Sequence, residues 1–407
     1  MRLLILTQYY PPEIGAPQNR LHELAVRLKA AGIEVEVLTA MPNYPKMEVF
    51  EEYRGGKIKE ETIDGINIYR TKIFVSRSKG IIARLLNYFS FVWTSYWRGR
   101  KLKNQYDFLM VESPPLFLGY SAMALSRKLK ARMIFNVSDL WPESAEKLGI
   151  VTNKSMLKIA YNLEAKCYKR ASLITGQTKG IVDDIKERFP TANVHWLPNG
   201  VDVDFYDPSK FAAQDFRGKH GFKQSDVLFF YGGILGHAQG LELLIQAADR
   251  LKDNDNFKIL LQGAGPEREK LHALKEELKT DKVVFLPPVP KQQMPSILKE
   301  VDVALVPLKK LDLFQGAIPS KIFEALAMKK TLLLGVEGEA KRHFIDKANA
   351  GLFFEPENLD DLTNKIEELV NNRDKLSEYG ENGRKYVSEV FNRNRIAQEL
   401  LTVLNNN

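Results

Sequence analysis

Cysteine is nearly absent from this chain. Cys167 is the sole thiol in 407 residues, which excludes an intrachain disulfide framework and any metal cluster built on thiolates, and points to a reducing compartment. Long hydrophobic runs are missing as well: the apolar stretch 81–97 contains Arg84 and is short for a membrane span. Met1–Thr7 is apolar but too brief for a signal-peptide core, and Gln8-Tyr9-Tyr10-Pro11-Pro12 follows at once, so it reads as a buried first strand. No Gly-x-Gly-x-x-Gly stands behind that strand, which leaves a dinucleotide fingerprint unsupported.

Acidic residues are absent from one long window. Between Thr71 and Asn104 there is no Asp or Glu, whereas Lys72, Arg77, Lys79, Arg84, Arg98, Arg100, Lys101 and Lys103 supply eight positive charges, equal to the formal net charge of +8. The window also holds Phe74, Tyr88, Phe89, Phe91, Trp93, Tyr96 and Trp97, and Ile82, Leu85, Leu86, Phe89, Trp93 and Tyr96 recur at helical spacing. A basic helix with an aromatic face is expected to lie on an anionic membrane surface, with Arg84, Phe89, Trp93, Trp97, Arg98, Arg100 and Lys101 at the interface. A domain helix whose aromatic side is core remains open. Nucleic acid is not an expected partner, because the charge is gathered in one amphipathic segment without a recognition motif.

What is present fits a globular α/β protein of two domains: 44% hydrophobic and 27% charged residues, in a chain too long for one core. Strands and helices alternate through both halves, which predicts two doubly wound parallel sheets. The first half offers strands at Leu3–Thr7, Glu34–Leu38, Phe108–Val111 and Met133–Val137, with a helix over Pro17–Ala31. Ligands of open sheets bind beyond the carboxyl ends of strands, so the loop carrying Gly15 and the turn carrying Asp139 are candidates. Asp139 could equally cap a helix starting near Pro142. The linker falls at Trp196–Asp202, punctuated by Pro198 and Asn199-Gly200. Within it Asp202-Val203-Asp204 could hold a divalent metal, though two aspartates in a charged linker are common by chance; no metal site is expected.

The second half repeats the pattern. Strands Val227–Tyr231, Ile259–Gln262, Val283–Leu286 and Val303–Val306 lead into Gly232–Gly240, Gly263-Ala264-Gly265, Pro287–Pro290 with Val289, and the loop holding Gly316 and Ala317. Next comes Ile318–Ala327, a short helix with Pro319 preset for its start, Ser320 available to cap it, and Ile322, Phe323 and Leu326 as its apolar face. Lys321 and Glu324 lie three apart, one turn of helix, which suits a diphosphate and the paired hydroxyls of a ribose respectively. A surface Lys–Glu pair is the alternative for this segment alone. Two glycine turns and this helix at one sheet edge favour a nucleotide-diphosphate site. Asn358–Leu404 reads as helical, with Gly380 and Gly383 as breaks and an end that crosses back to the first domain.

With these residues assembled, the chain resembles the retaining glycosyltransferases of family 4, within the bacterial surface-polysaccharide branch that includes an N-acetyl-L-fucosamine transferase. The resemblance rests on residues 9–20 (Tyr-Tyr-Pro-Pro-Glu-Ile-Gly-Ala-Pro-Gln-Asn-Arg), 41–45 (Met-Pro-Asn-Tyr-Pro), 139–144 (Asp-Leu-Trp-Pro-Glu-Ser), 199–202 (Asn-Gly-Val-Asp), 239–241 (Gln-Gly-Leu) and 319–327 (Pro-Ser-Lys-Ile-Phe-Glu-Ala-Leu-Ala). It implies the GT-B architecture, two Rossmann-like domains facing across a cleft: an acceptor-side domain over 1–198, joined by a helix at about 390–407, and a nucleotide-sugar domain over 199–389. It implies a donor nucleotide held by Gly15, Gly233, Gly263, Gly265, Val289, Gly316, Ala317, Lys321 and Glu324, with Glu13, Arg20 and Asp139 positioning acceptor or donor sugar. Glu324 matches the second glutamate of the Glu-x7-Glu motif, while Gly316 stands in place of the first. Gly233 and Gln239 stand where many relatives carry Arg and Lys, which leaves Lys321 as the cation for the donor phosphates.

The implied reaction uses no resident cofactor. A sugar, N-acetylated or a deoxy amino sugar, moves with retention from a UDP-sugar to a polyprenyl-diphosphate-linked saccharide in O-antigen, capsule or exopolysaccharide synthesis, at the cytoplasmic face of the inner membrane. The leaving phosphate accepts the acceptor's proton, and a glycosidase-type carboxylate pair is the alternative. An epimerase of the same fold and a non-catalytic membrane-surface protein are the rival readings.

Overall fold

Apolar residues fill the first strand from Leu3 to Leu6, and such a strand is stable only between two covering layers. The computed structural model describes residues 1–13, 15–78, 80–212 and 215–406, and in it Leu3, Leu4, Ile5 and Leu6 are fully buried. Ile14 and Lys79, each part of a stretch singled out above, lie outside the described residues. The chain divides into two units, Met1–Asn199 with Arg393–Asn407, and Gly200–Asn392.

The first unit runs β1 (Arg2–Leu6), α1 (Ala16–Ala30), β2 (Glu34–Ala40), β3 (Glu60–Ile63), β4 (Ile66–Thr71), α2 (Ile81–Gly99), β5 (Phe108–Ser113), α3 (Leu118–Lys128), β6 (Arg132–Val137), α4 (Glu143–Lys147), α5 (Lys154–Arg170), β7 (Leu173–Gly176), α6 (Lys179–Arg188) and β8 (Val194–Trp196). Its sheet has the order β3-β4-β2-β1-β5-β6-β7-β8, and the β3/β4 hairpin is antiparallel. The strand order reverses between β1 and β5, so the loops after these two strands open the crevice where such sheets take ligands. Leu21, Leu24, Ala25 and Leu28 form the buried stripe of α1 and pack with Ile396, Ala397, Leu400 and Leu404 from the end of the chain.

The second unit runs α7 (Phe216–His220), β9 (Val227–Gly232), α8 (Glu242–Arg250), β10 (Phe257–Gln262), α9 (Arg268–Leu278), β11 (Val283–Leu286), α10 (Met294–Glu300), β12 (Val303–Pro307), α11 (Ser320–Ala327), β13 (Thr331–Gly335), α12 (Glu339–Lys341), β14 (Gly351–Phe353), α13 (Leu359–Asn371) and α14 (Asp374–Val390). The last helix, α15 (Arg393–Asn406), belongs to the first unit. The six strands have the order β11-β10-β9-β12-β13-β14, with the reversal between β9 and β12.

Two local expectations are corrected. Gly380 and Gly383 do not break the terminal helical segment but lie inside α14. They are small because the helix passes close to its neighbours: a Cβ on Gly380 would meet the Lys329 carbonyl oxygen at 2.1 Å, and one on Gly383 would meet Leu326 Cδ2 at 2.5 Å. At the start of α11, Pro319 is the residue before the helix and Ser320 its first residue, and no side chain caps it. Ile322, Phe323 and Leu326 are buried as the pattern requires.

Candidate functional site

In the second unit the sequence places glycine at the end of β9 and directly after β10, and the two turns interlock. Gly233 donates to the Gln262 carbonyl at 2.9 Å, Leu235 donates to the Ala264 carbonyl at 2.9 Å, and Glu267 donates to the Leu235 carbonyl at 3.0 Å. Contact is so close that a Cβ on Gly263, where φ is +144°, would lie 1.8 Å from the Gly233 oxygen, and one on Gly265 would lie 2.2 Å from the Leu235 oxygen. Lys321 enters the same place from α11. Its Nζ sits 3.6 Å from the centre of the Tyr231 ring and would be 3.0 Å from a Cβ on Gly233. Burial pushes the Lys321 ammonium down to about 7, and the Glu324 carboxylate opposes that shift. Gly233, Gly263, Gly265 and Lys321 are thus brought together beside the point where the strand order reverses. Val289, half-buried beyond β11, and Gly316 and Ala317, in the turn before α11, follow carboxyl ends of the same sheet.

One cation there was not anticipated. Lys309, just beyond β12, donates its backbone N–H to the Ala238 carbonyl at 2.9 Å, and its Nζ lies 3.0 Å from His237 Nε2. It is pinned to the glycine-rich loop that lacks Arg and Lys of its own. Sequence distance hid it, because Ala238 and Lys309 lie 71 positions apart.

In the first unit a buried polar network crosses the carboxyl ends of β5, β6 and β7. Arg20 Nη2 donates to Glu112 Oε1 at 2.5 Å and to Ser138 Oγ at 2.6 Å, and its other terminal nitrogen donates to Gln177 Oε1. The Ser138 hydroxyl and the Asn136 amide both donate to Glu112, and Thr175 Oγ1 donates to Asn136 Oδ1 at 2.6 Å. Glu112 and Gln177 were not among the sequence candidates. A charged residue inside an otherwise apolar strand was the available signal for Glu112.

Asp139 is half-buried next to this network and accepts the Ser144 hydroxyl at 2.6 Å. No side chain caps α4, so the capping alternative does not describe it. Glu13 is turned inward and 1% exposed. Its carboxylate accepts the backbone N–H groups of Tyr10 at 3.1 Å and of Asn43 and Tyr44 at 2.8 Å each, tying the Tyr9–Glu13 loop to Met41–Tyr44. Burial raises its pKa and these three donors oppose the rise. Gly15 precedes α1 in extended conformation, and a Cβ there would come within 2.4 Å of Gln18 Oε1.

The basic aromatic segment forms α2, apolar on two sides. Phe91 is buried, with Leu85, Tyr88, Val92 and Tyr96 packed against the core. On the other side Ile82, Leu86, Phe89, Trp93 and Trp97 form an exposed stripe, Trp93 being 65% exposed. Arg100 lies over the Trp97 ring at 4.6 Å, and Arg84, Arg100 and Lys101 are exposed. Arg98 departs from the expectation: it pairs with Glu60 and lies over the Tyr69 ring, so its charge is spent within the unit. Among the described residues no helix is long and apolar enough to cross a membrane. Asp202 accepts the N–H groups of Asp204 and Phe205 at 3.0 and 2.9 Å, which makes that triplet a turn, and among the described residues no three His, Cys, Asp or Glu side chains group as metal ligands.

Residues 15–200 match the family of the Glycosyl transferase 4-like domain, and residues 212–386 match Glycosyl transferases group 1. The protein is a glycosyltransferase. Its fold is GT-B: it superimposes on sucrose-phosphate synthase from Thermosynechococcus elongatus with a TM-score of 0.74 at 16% identity, covering 100% of this chain and 99% of that one. A structure of Anabaena Alr3699/HepE in complex with UDP and glucose gives a TM-score of 0.72 at 16% identity, with 100% of both chains covered. In sequence the glycosyltransferase is 25% identical over 414 residues to WcaI of Escherichia coli (strain K12), provisionally named a colanic acid biosynthesis glycosyl transferase, covering 98% of this chain and 99% of that one.

Proposed function

We propose that the protein is a retaining glycosyltransferase of bacterial surface-polysaccharide synthesis that moves a sugar from a UDP-sugar to a lipid-linked saccharide. The observation that carries this reading is the convergence of the two interlocked glycine turns with Lys321 beside the β9/β12 reversal. Backbone there can approach a diphosphate closely, and a lysine held against Tyr231 supplies the charge. The UDP bound by the Anabaena neighbour and the colanic acid assignment of the Escherichia coli relative support the donor and the pathway class.

In this mechanism the acceptor hydroxyl attacks the anomeric carbon on the face from which UDP departs. The C–O bond to the β-phosphate breaks with its electron pair going to that phosphate, which takes the hydroxyl proton. Lys321 and the amides at the start of α11 stabilise the charge that develops on the diphosphate. Glu324, one turn further, takes the ribose hydroxyls. Asp139 orients the acceptor, Arg20 holds its supporting network, and Glu13 fixes the loop that presents Gly15. The exposed stripe of α2, with Arg84, Arg100 and Lys101, rests on the inner face of the membrane.

A thermal-unfolding screen against UDP, GDP, CDP and ADP, with and without EDTA, tests the donor assignment. A nucleotide at about 100 times its dissociation constant stabilises by about 2.7 kcal/mol. Stabilisation by UDP that survives EDTA is the expected result; no shift with any nucleotide would sink the reading.

A further inference from the structure

Next to the Asp139 turn, the first unit contains an apolar pocket of about 330 Å³, and of its lining residues only Arg84 has been given a role above. Its walls include Leu85 from α2, Trp141 from the turn after β6, and Val151, Met156 and Leu157 from the approach to α5 and its first turn. Arg84 is the one charged residue lining it. This arginine is exposed and, among the described residues, makes no ion pair. Its charge reaches the Tyr88 hydroxyl on the pocket wall, where it opposes the rise that burial gives that phenol. The pocket wall touches the outer stripe of α2, because Phe117 packs at a tilt against Phe89 with ring centres 4.9 Å apart.

An apolar pocket with one uncompensated guanidinium at its wall fits a ligand that is hydrocarbon at one end and strongly anionic at the junction. A saccharide joined to it must then reach Asp139. Trp141 is two residues beyond Asp139, and two residues span at most about 7 Å. We propose that this pocket holds the first part of the isoprenoid tail of a polyprenyl-diphosphate acceptor, with the diphosphate at Arg84 and only a short saccharide between Arg84 and Asp139. The assignment rests on the lipid-linked acceptor reading given above. It places the enzyme early in assembly, after a reaction that puts the first sugar phosphate on the lipid.

Calorimetric titration of the full chain with farnesyl diphosphate tests this. Farnesyl diphosphate is expected to bind in the presence of saturating UDP, about tenfold or more tighter than inorganic diphosphate or dihexanoyl phosphatidic acid. Val151→Trp and Met156→Trp, which fill the pocket, and Arg84→Ala, at an exposed position, are each expected to weaken it by a similar factor while UDP stabilisation persists. Farnesol should be weakened by the tryptophan variants and indifferent to Arg84→Ala. Unchanged affinity in the folded variants, displacement by UDP, or equal affinity for the phosphatidic acid would overturn the proposal; if both tryptophan variants unfold, Arg84→Ala decides alone. Loss of UDP binding with farnesyl diphosphate binding intact would count against the donor reading and leave the pocket standing.

Discussion

The Lys321 ammonium lies 3.6 Å from the centre of the Tyr231 ring, with its pKa brought down to about 7 by burial. A lysine ordinarily titrates at 10.5, so between these values the unfolded chain binds a proton that the folded chain does not. Stability must then rise with pH across that window. Denaturant titrations from about pH 7 to about pH 9 should show wild type gaining on Lys321→Met as pH rises. A constant difference would count against the assignment.

The same lysine couples to the donor. A diphosphate beside it favours the charged form, so UDP binding at about pH 8 should take up a proton, and affinity should fall by up to about tenfold per pH unit above pH 7. Calorimetry in two buffers of different ionisation enthalpy measures the uptake. It should vanish in Lys321→Met.

Gly263 combines a φ of +144° with a carbonyl oxygen where its Cβ would stand. Both strain and overlap oppose a side chain, so Gly263→Ala should cost about 2 kcal/mol or more of stability and weaken UDP binding. A variant with an unchanged melting curve would show that the two turns are looser than their contacts indicate.

The Arg20–Glu112 pair is buried on both sides. Removing one partner leaves an uncompensated charge, so Glu112→Ala should destabilise by about 3–5 kcal/mol. Glu112→Gln, which keeps acceptors for Arg20 and Ser138, should lose less. Equal losses would mean that packing, not charge, holds the network.

Trp93 and Trp97 stack edge to face at 5.7 Å on the exposed side of α2. Trp93→Ser with Trp97→Ser should leave stability within about 1 kcal/mol, since little packing is lost. Co-sedimentation with vesicles of phosphatidylglycerol and phosphatidylethanolamine should fall sharply. Undiminished sedimentation would remove the membrane role from this face.

Much of the fold could be read from local pattern. Runs such as Leu3–Leu6 and Val227–Tyr231 are apolar on both faces, and glycine or proline follows many strands, so the alternation of two parallel sheets was legible. The β3/β4 hairpin carried a signal in Asp64-Gly65, whose backbones both have positive φ, but its strands are polar on one face and gave no apolar run. Lys321 could be picked out as a candidate because helix start, cation and carboxylate share one short segment, and the structure sets it beside Gly233 and the Tyr231 ring. Glu112, Gln177 and Lys309 were not, because each is defined by partners far away in sequence: Arg20 and Glu112 are 92 residues apart. Glu13 was expected to position a sugar; that its carboxylate binds the backbone amides of Asn43 and Tyr44 was not legible, because only the folded loops bring them near. Glycines mislead in the same way, since Gly380 and Gly383 answer to α11 and its end rather than to their own helix.

The most direct test of the donor site is the affinity of UDP for wild type, Lys321→Ala and Glu324→Ala by isothermal titration at about pH 7. Each substitution should weaken binding by about tenfold or more, the loss of a charge-assisted contact, while leaving unfolding cooperative. Equal affinity in all three proteins would contradict the account at its centre.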